Sequence, residues 1–148
     1  MNARSHRLLL AIAVLSVLGI AVSGVSLDHH FRTTKTGYCD FGQSFNCDLV
    51  NRSEYSTVAG VPVALIGILG YATLLAFATL YRSKAETPAI LTIGSVVGLG
   101  FALRLTYIEK YVLFTWCVLC LSSLAIISAI TVLCLLLVRR RQSLSGAE

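Results

Sequence analysis

Apolar positions in this chain gather into four runs, Leu8 to Leu27, Gly60 to Leu80, Ala89 to Tyr107 and Leu113 to Val138, with polar residues collected between them. Each run is about 19–26 residues long, enough to cross ~30 Å of hydrocarbon as a helix. Backbone N–H and C=O groups in lipid need partners within their own segment, so the runs predict helices rather than isolated strands. The fold class that follows is all-α integral membrane. A four-transmembrane-helix bundle fills residues 1–148 as a single membrane domain, spanning at about 8–27, 60–80, 89–107 and 113–138. What remains is one long segment, 28–59, and two short links, Tyr81 to Pro88 and Ile108 to Tyr111. The chemistry is expected in those places or just inside them.

Composition strengthens this picture: 56% of residues are hydrophobic and 13% charged, against a charged share of about 25% in soluble domains. The net charge of +5 would suggest nucleic acid in a soluble chain, but its distribution reads as topology. Arg4 and Arg7 precede the first run, Arg82 and Lys84 link the second to the third, and Arg139, Arg140 and Arg141 follow the fourth. The positive-inside rule puts these three places in the cytoplasm, with both termini there. The segment 28–59 and the third link then face outward, where Asp28, Asp40, Asp48, Glu54 and Glu109 lie. A cleaved signal peptide is the competing account of the first run, given Ala21-Val22-Ser23-Gly24. Because the apolar core continues to Leu27 without a polar break, retention is expected.

Five cysteines come next. Cys39 and Cys47 lie in the outer segment, Cys117 and Cys120 at the outer end of the fourth run, and Cys134 deep within it. Outside a bacterial inner membrane, or in the lumen of the endoplasmic reticulum, thiols pair readily. Cys134 is ~21 Å beyond Cys120 along a helix and reads as a small buried hydrophobe. Cys117 and Cys120 stack on one helix face and can close a small disulfide. At a helix amino end they also feel the N–H groups and dipole that favour a thiolate. The plain alternative is a structural disulfide, or two packing cysteines. Cys39 and Cys47 sit in "TGYCDFGQSFNCDLVNRS", which has the composition of a mobile loop. A flexible dithiol beside a fixed one suggests a relay, which collects electrons from an outside thiol and passes them on through a mixed disulfide. The alternatives there are a loop staple or a four-cysteine zinc site, the latter at a wider spacing than zinc ligands usually show.

Read in order, "CDFGQSFNC", Ser53 in "NRSEYS", "GVPVALIGILGY" and "TYIEKYVLFTWCVLC" resemble the vitamin K epoxide reductase (VKOR) family. The resemblance is closest to its bacterial homologues without a fused thioredoxin-like domain. It implies a membrane enzyme that couples disulfide formation on the outer side to reduction of a quinone, ubiquinone or menaquinone. On that pattern Cys117 and Cys120 are the active-site pair, Cys120 facing the quinone and Cys117 exchanging with Cys47. Cys39 then exchanges with an external partner, a separate thioredoxin-like (DsbA-like) protein. Ser53 matches the serine that lies over the active site, and Tyr55 an aromatic residue near the quinone. Leu124 stands where the vitamin K-reducing animal enzymes carry a tyrosine, a departure that puts epoxide reduction in question. The expected setting is a bacterial inner membrane with the redox centre in the periplasm, and no metal or nucleic acid is implied. The alternatives are a vitamin K quinone or epoxide reductase of a eukaryotic membrane, and a non-enzymatic disulfide-stabilised adaptor. The other four-span disulfide oxidases carry their CxxC and wider pair in the reverse order.

Four further features have plain readings. Arg104, about a turn from the outer surface, can snorkel to it. Gly94 and Gly98, and Gly60, Gly67 and Gly70, point to close helix packing. His29 and His30 are expected to be solvated. Asn51-Arg52-Ser53 spells a glycosylation sequon, which a working relay would leave unused.

Overall fold

The computed structural model describes residues 3–32, 42, 44–84 and 86–145. Five helices carry the chain: α1 (Ala3–Phe31), α2 (Cys47–Asn51), α3 (Val63–Thr79), α4 (Thr87–Ile108) and α5 (Val118–Ser145). A small antiparallel hairpin of β1 (Thr57–Val58) and β2 (Val61–Pro62) leads into α3. α1, α4 and α5 are long and apolar enough to cross a membrane, and α3 is a shorter apolar helix of 17 residues. Many large apolar side chains point away from the bundle, among them Leu10, Val14, Leu69, Ile93, Leu103 and Val132. Lipid, not water, is the solvent that such a surface suits, and the protein is an integral membrane protein.

The core lies between the long helices. Leu9 and Ile12 of α1, Tyr71 and Leu74 of α3, Leu91 of α4, and Ile127, Ile130 and Leu137 of α5 form one buried cluster. Cys134 belongs to that cluster as a packing residue. Small residues let the backbones approach. A Cβ on Gly19 would come within 2.5 Å of the Tyr71 ring, and one on Gly67 within 2.8 Å of Ser23 Oγ. Gly98, as its spacing suggested, faces Ile127, with 3.2 Å left for a Cβ. Gly70 instead meets nothing within 4 Å.

Helix ends depart from the apolar runs in ways that matter for the site. The second helix begins at Val63 rather than Gly60, because residues 57–62 form the hairpin. Its two-residue turn holds Ala59 and Gly60 both at positive φ, 52° and 81°, the pairing that suits a tight two-residue connection. The link expected at residues 108–111 is instead helical: α4 continues through a wider π turn, Glu109–Leu113. Phe114, left-handed at φ 51°, ends it, and α5 starts at Val118, not Leu113. Four residues, Phe114 to Cys117, thus make the turn between α4 and α5.

Candidate functional site

The described part of the long polar segment is ordered, and backbone bonds tie it to the start of α5. Phe45 and Trp116 form an isolated parallel bridge. Asn46 N–H donates to Trp116 O (3.2 Å), and Trp116 N–H to Ser44 O (2.9 Å). Cys117 follows Trp116 directly, and Cys47 lies two residues after Phe45. Asn46 also caps α2, its side-chain oxygen accepting from Leu49 N–H at 2.8 Å. Cys47 therefore opens a short helix rather than riding on a mobile loop.

The consequence is burial. Cys47 and Cys117 are both 0% exposed and pack in one cluster with Val50, against Leu113, Leu119 and Cys120. Cys47 is held in a disulfide, whereas Cys117, Cys120 and Cys134 are free thiols. Cys39 lies outside the described residues.

Cys117 sits at the amino end of α5, where its carbonyl accepts the first helical bond, from Leu121 N–H at 3.0 Å. Its thiol is pulled below the ordinary cysteine range by hydrogen bonding from Cys120 first, and then by the backbone N–H groups of Cys120 and Leu119. Burial and the charge of Glu109 oppose that shift. The sulfur thus takes the place of an N-cap acceptor, a setting that favours a thiolate. Asn51 adds a further donor, with its Nδ2 at 4.0 Å from Cys117 Sγ.

The residues that hold α2 come from the end of α1. His29 is fully buried with Nδ1 3.0 Å from Asp48 Oδ1. Ser26 Oγ donates to Asn51 Oδ1 at 2.7 Å, which leaves the amide nitrogen facing Cys117. His30 Nδ1 lies 2.5 Å from Asn51 O. The histidines are structural partners of the cysteine-bearing helix, not the solvated pair that the sequence suggested. Asn51 is 7% exposed and too enclosed to serve as a sugar acceptor.

From the other side Glu109 grips the turn. Its backbone O accepts from Thr115 N–H, and its Oε2 from Cys117 N–H, both at 3.1 Å. Its Oε1 has no hydrogen-bond partner although Glu109 is only 2% exposed. Arg104, by contrast, lies on the exposed face of α4, as a snorkelling side chain would.

Beneath this assembly a cavity of about 450 Å³ opens among the helices. Most of its lining is apolar, from Val22 of α1, Ile66 and Phe77 of α3, Phe101 of α4 and Ile127 of α5. Cys120 lines it, but Cys117 and Cys47 do not. Ser53 and Tyr55 lie on its wall. The Ser53 hydroxyl donates to Val50 O at 2.8 Å. Leu124 is half-buried and not among the lining residues, whereas its neighbour Ser123 is, bonded to the Tyr71 hydroxyl at 2.9 Å. Size and lining fit a flat ring with an apolar tail, since small-molecule pockets run to about 300–1,000 Å³ with few polar groups. No group of three His, Cys, Asp or Glu side chains able to hold a metal occurs among the described residues.

A membrane bundle with a buried thiol pair at a helix start, opening on an apolar cavity, defines a membrane oxidoreductase. Residues 10–135 match the model of the vitamin K epoxide reductase family, and the chain belongs to that family. Its members carry out redox chemistry in the membrane with quinones. A comparison with curated proteins finds no match.

Of the cysteines that sequence spacing singled out, the structure brings Cys47, Cys117 and Cys120 together; spacing did not point to Asn51, Glu109 or the His29–Asp48 contact. Asn51 spelled a surface signal, and Glu109 counted as one acid among several outside. The usable clue for Glu109 was its place: a carboxylate at the end of an apolar run, eight residues before Cys117.

Proposed function

We propose that the protein is a thiol:quinone oxidoreductase that makes disulfides on the outer side of a membrane. The single observation that carries the reading is the burial of Cys47 against Cys117, with Cys120 on the far side of the pair opening on the apolar cavity. A protein thiol reaches the pair from the polar segment, and a lipid-dissolved quinone from the bundle. Cys117, whose thiolate the helix start favours, exchanges with Cys47. Cys39 exchanges with an external thioredoxin-like protein, and Cys120 delivers the electrons to ubiquinone or menaquinone. The quinone, when bound, supplies the two-electron sink. The chain's own part is to hold Cys120 at the cavity, bury the exchange step and make the Cys117 sulfur easier to ionise.

In this reading α3 is the fourth span, extended at its start by the hairpin. The basic residues at 4, 7, 82, 84 and 139–141 face the cytoplasm, and the redox end faces the periplasm of a bacterium. Ser53 and Tyr55 contact the quinone at the cavity wall. Leu124 acts only through Ser123 and the helix between. A structural disulfide would stand closed, whereas Cys117 and Cys120 are unbridged, and the opening of Cys120 on the cavity favours the relay over two packing cysteines.

Trapping tests the exchange step. With Cys39 and Cys120 both replaced by alanine, mild oxidation should join Cys47 to Cys117 within one chain, as read by peptide mapping. Recovery of both as thiols, or of bonds between chains only, would refute it.

A further inference from the structure

We propose that Glu109 is the proton acceptor of the Cys117/Cys120 pair, a catalytic residue that takes the thiol protons as the disulfide closes and hands them to the quinone. The inference rests on the redox reading above.

Glu109 is a carboxylate almost wholly out of solvent, at 2% exposure. One oxygen has a fixed task, since Oε2 accepts from Cys117 N–H at 3.1 Å. The other, Oε1, is buried and makes no hydrogen bond. A buried carboxylate oxygen left without a donor is costly, and such a group calls for a use of its lone pair. That use is adjacent. Glu109 and Cys120 line the same cavity, and the groups next to the carboxylate are the Cys117 N–H and the Cys120 thiol.

Among the described residues no Lys or Arg lines the cavity. The other titratable groups facing it among the described residues are His30 from α1, Tyr55 from the turn before the hairpin, and Tyr71 from α3. A carboxylate and a thiolate side by side repel, the more so out of water. Proton transfer between them keeps a single negative charge in the site.

The step balances as follows. The Sγ–H bond of Cys120 breaks, its proton goes to Glu109 Oε1, and the electron pair stays on sulfur. Once the carboxylate has passed that proton on, it takes the second from Cys117. As the S–S bond forms, two electrons leave the sulfurs for the quinone, and both protons follow. A dithiol and a quinone become a disulfide and a hydroquinone.

Glu109→Gln keeps an oxygen for Cys117 N–H and removes the proton site. Oxidation of the reduced pair by a soluble quinone should slow about 10²–10⁴-fold. In the absence of quinone, alkylation of the two thiols should set in at lower pH, because the opposing charge is gone. Glu109→Asp should restore part of the rate. An unchanged rate, or an unchanged alkylation onset, in folded Glu109→Gln protein would overturn the proposal. If the wild-type pair reacts with no quinone, the redox reading itself fails, whatever the alkylation shows. Should Glu109→Gln not accumulate folded, infrared difference spectra of the wild type decide. A protonated-carboxyl C=O band should change between the dithiol and disulfide forms, and a spectrum without one would overturn the proposal.

Discussion

Cys117 and Cys120 are one helical turn apart, yet their surroundings differ in kind. Cys117 is closed in with Cys47, and Cys120 opens on an apolar cavity. The lowered Cys117 thiol sets a sign for its pH dependence. Its thiolate persists below the ordinary range near ~8.5, and is lost as pH falls through the lowered value. Normalised alkylation of Cys117, followed by mass spectrometry across pH, should therefore begin at lower pH than for an ordinary cysteine. Asn51→Leu, which removes the donor at the sulfur, should move that onset upward. Cys117 and Cys120 stood out in the sequence because a three-residue spacing puts two thiols within reach of each other on a helix. Asn51 did not, because its role depends on α2 folding against α1 and on Ser26 holding the amide oxygen, neither of which leaves a local pattern.

Among the elements, α2 is the one that cannot stand alone, since a five-residue helix is too short to be stable in isolation. It is fixed by its Asn46 cap, by the His29–Asp48 contact and by the Phe45–Trp116 bridge. His29→Ala should lower stability in detergent by about 1–3 kcal/mol, the cost of losing a buried hydrogen-bonded contact to Asp48. It should also speed alkylation of Cys117, because α2 is its cover. Thermal unfolding and thiol trapping read the two effects. Helix packing has its own test. Gly19→Ala drives a methyl into the Tyr71 ring and should cost about 1–3 kcal/mol, whereas Gly24→Ala, with nothing within 4 Å of its Cβ, should be near neutral. The long helices were plain from the apolar runs because lipid burial demands them. The hairpin was hidden because Gly60 to Pro62 are as apolar as the helix they precede, and the π turn because the charges of Glu109 and Lys110 made a helical stretch read as a polar link.

At the scale of the molecule, the proposed function has an apolar exterior and an interior cavity under a polar cap bring a lipid-soluble and a water-borne reactant to opposite sides of one thiol pair. In the proposed topology, which follows the charge distribution, the cap lies on the outer face. A reporter enzyme active only in the cytoplasm should work when fused after residue 145 and fail when inserted after Gly60; the reverse would invert the topology. The central claim concerns electron flow through Cys120, and quinone reduction measures it most directly. With purified protein, a reduced thioredoxin-like substrate and a soluble quinone, the wild type should reduce the quinone and Cys120→Ala should fall to the uncatalysed background. Equal rates from the two proteins would contradict the account.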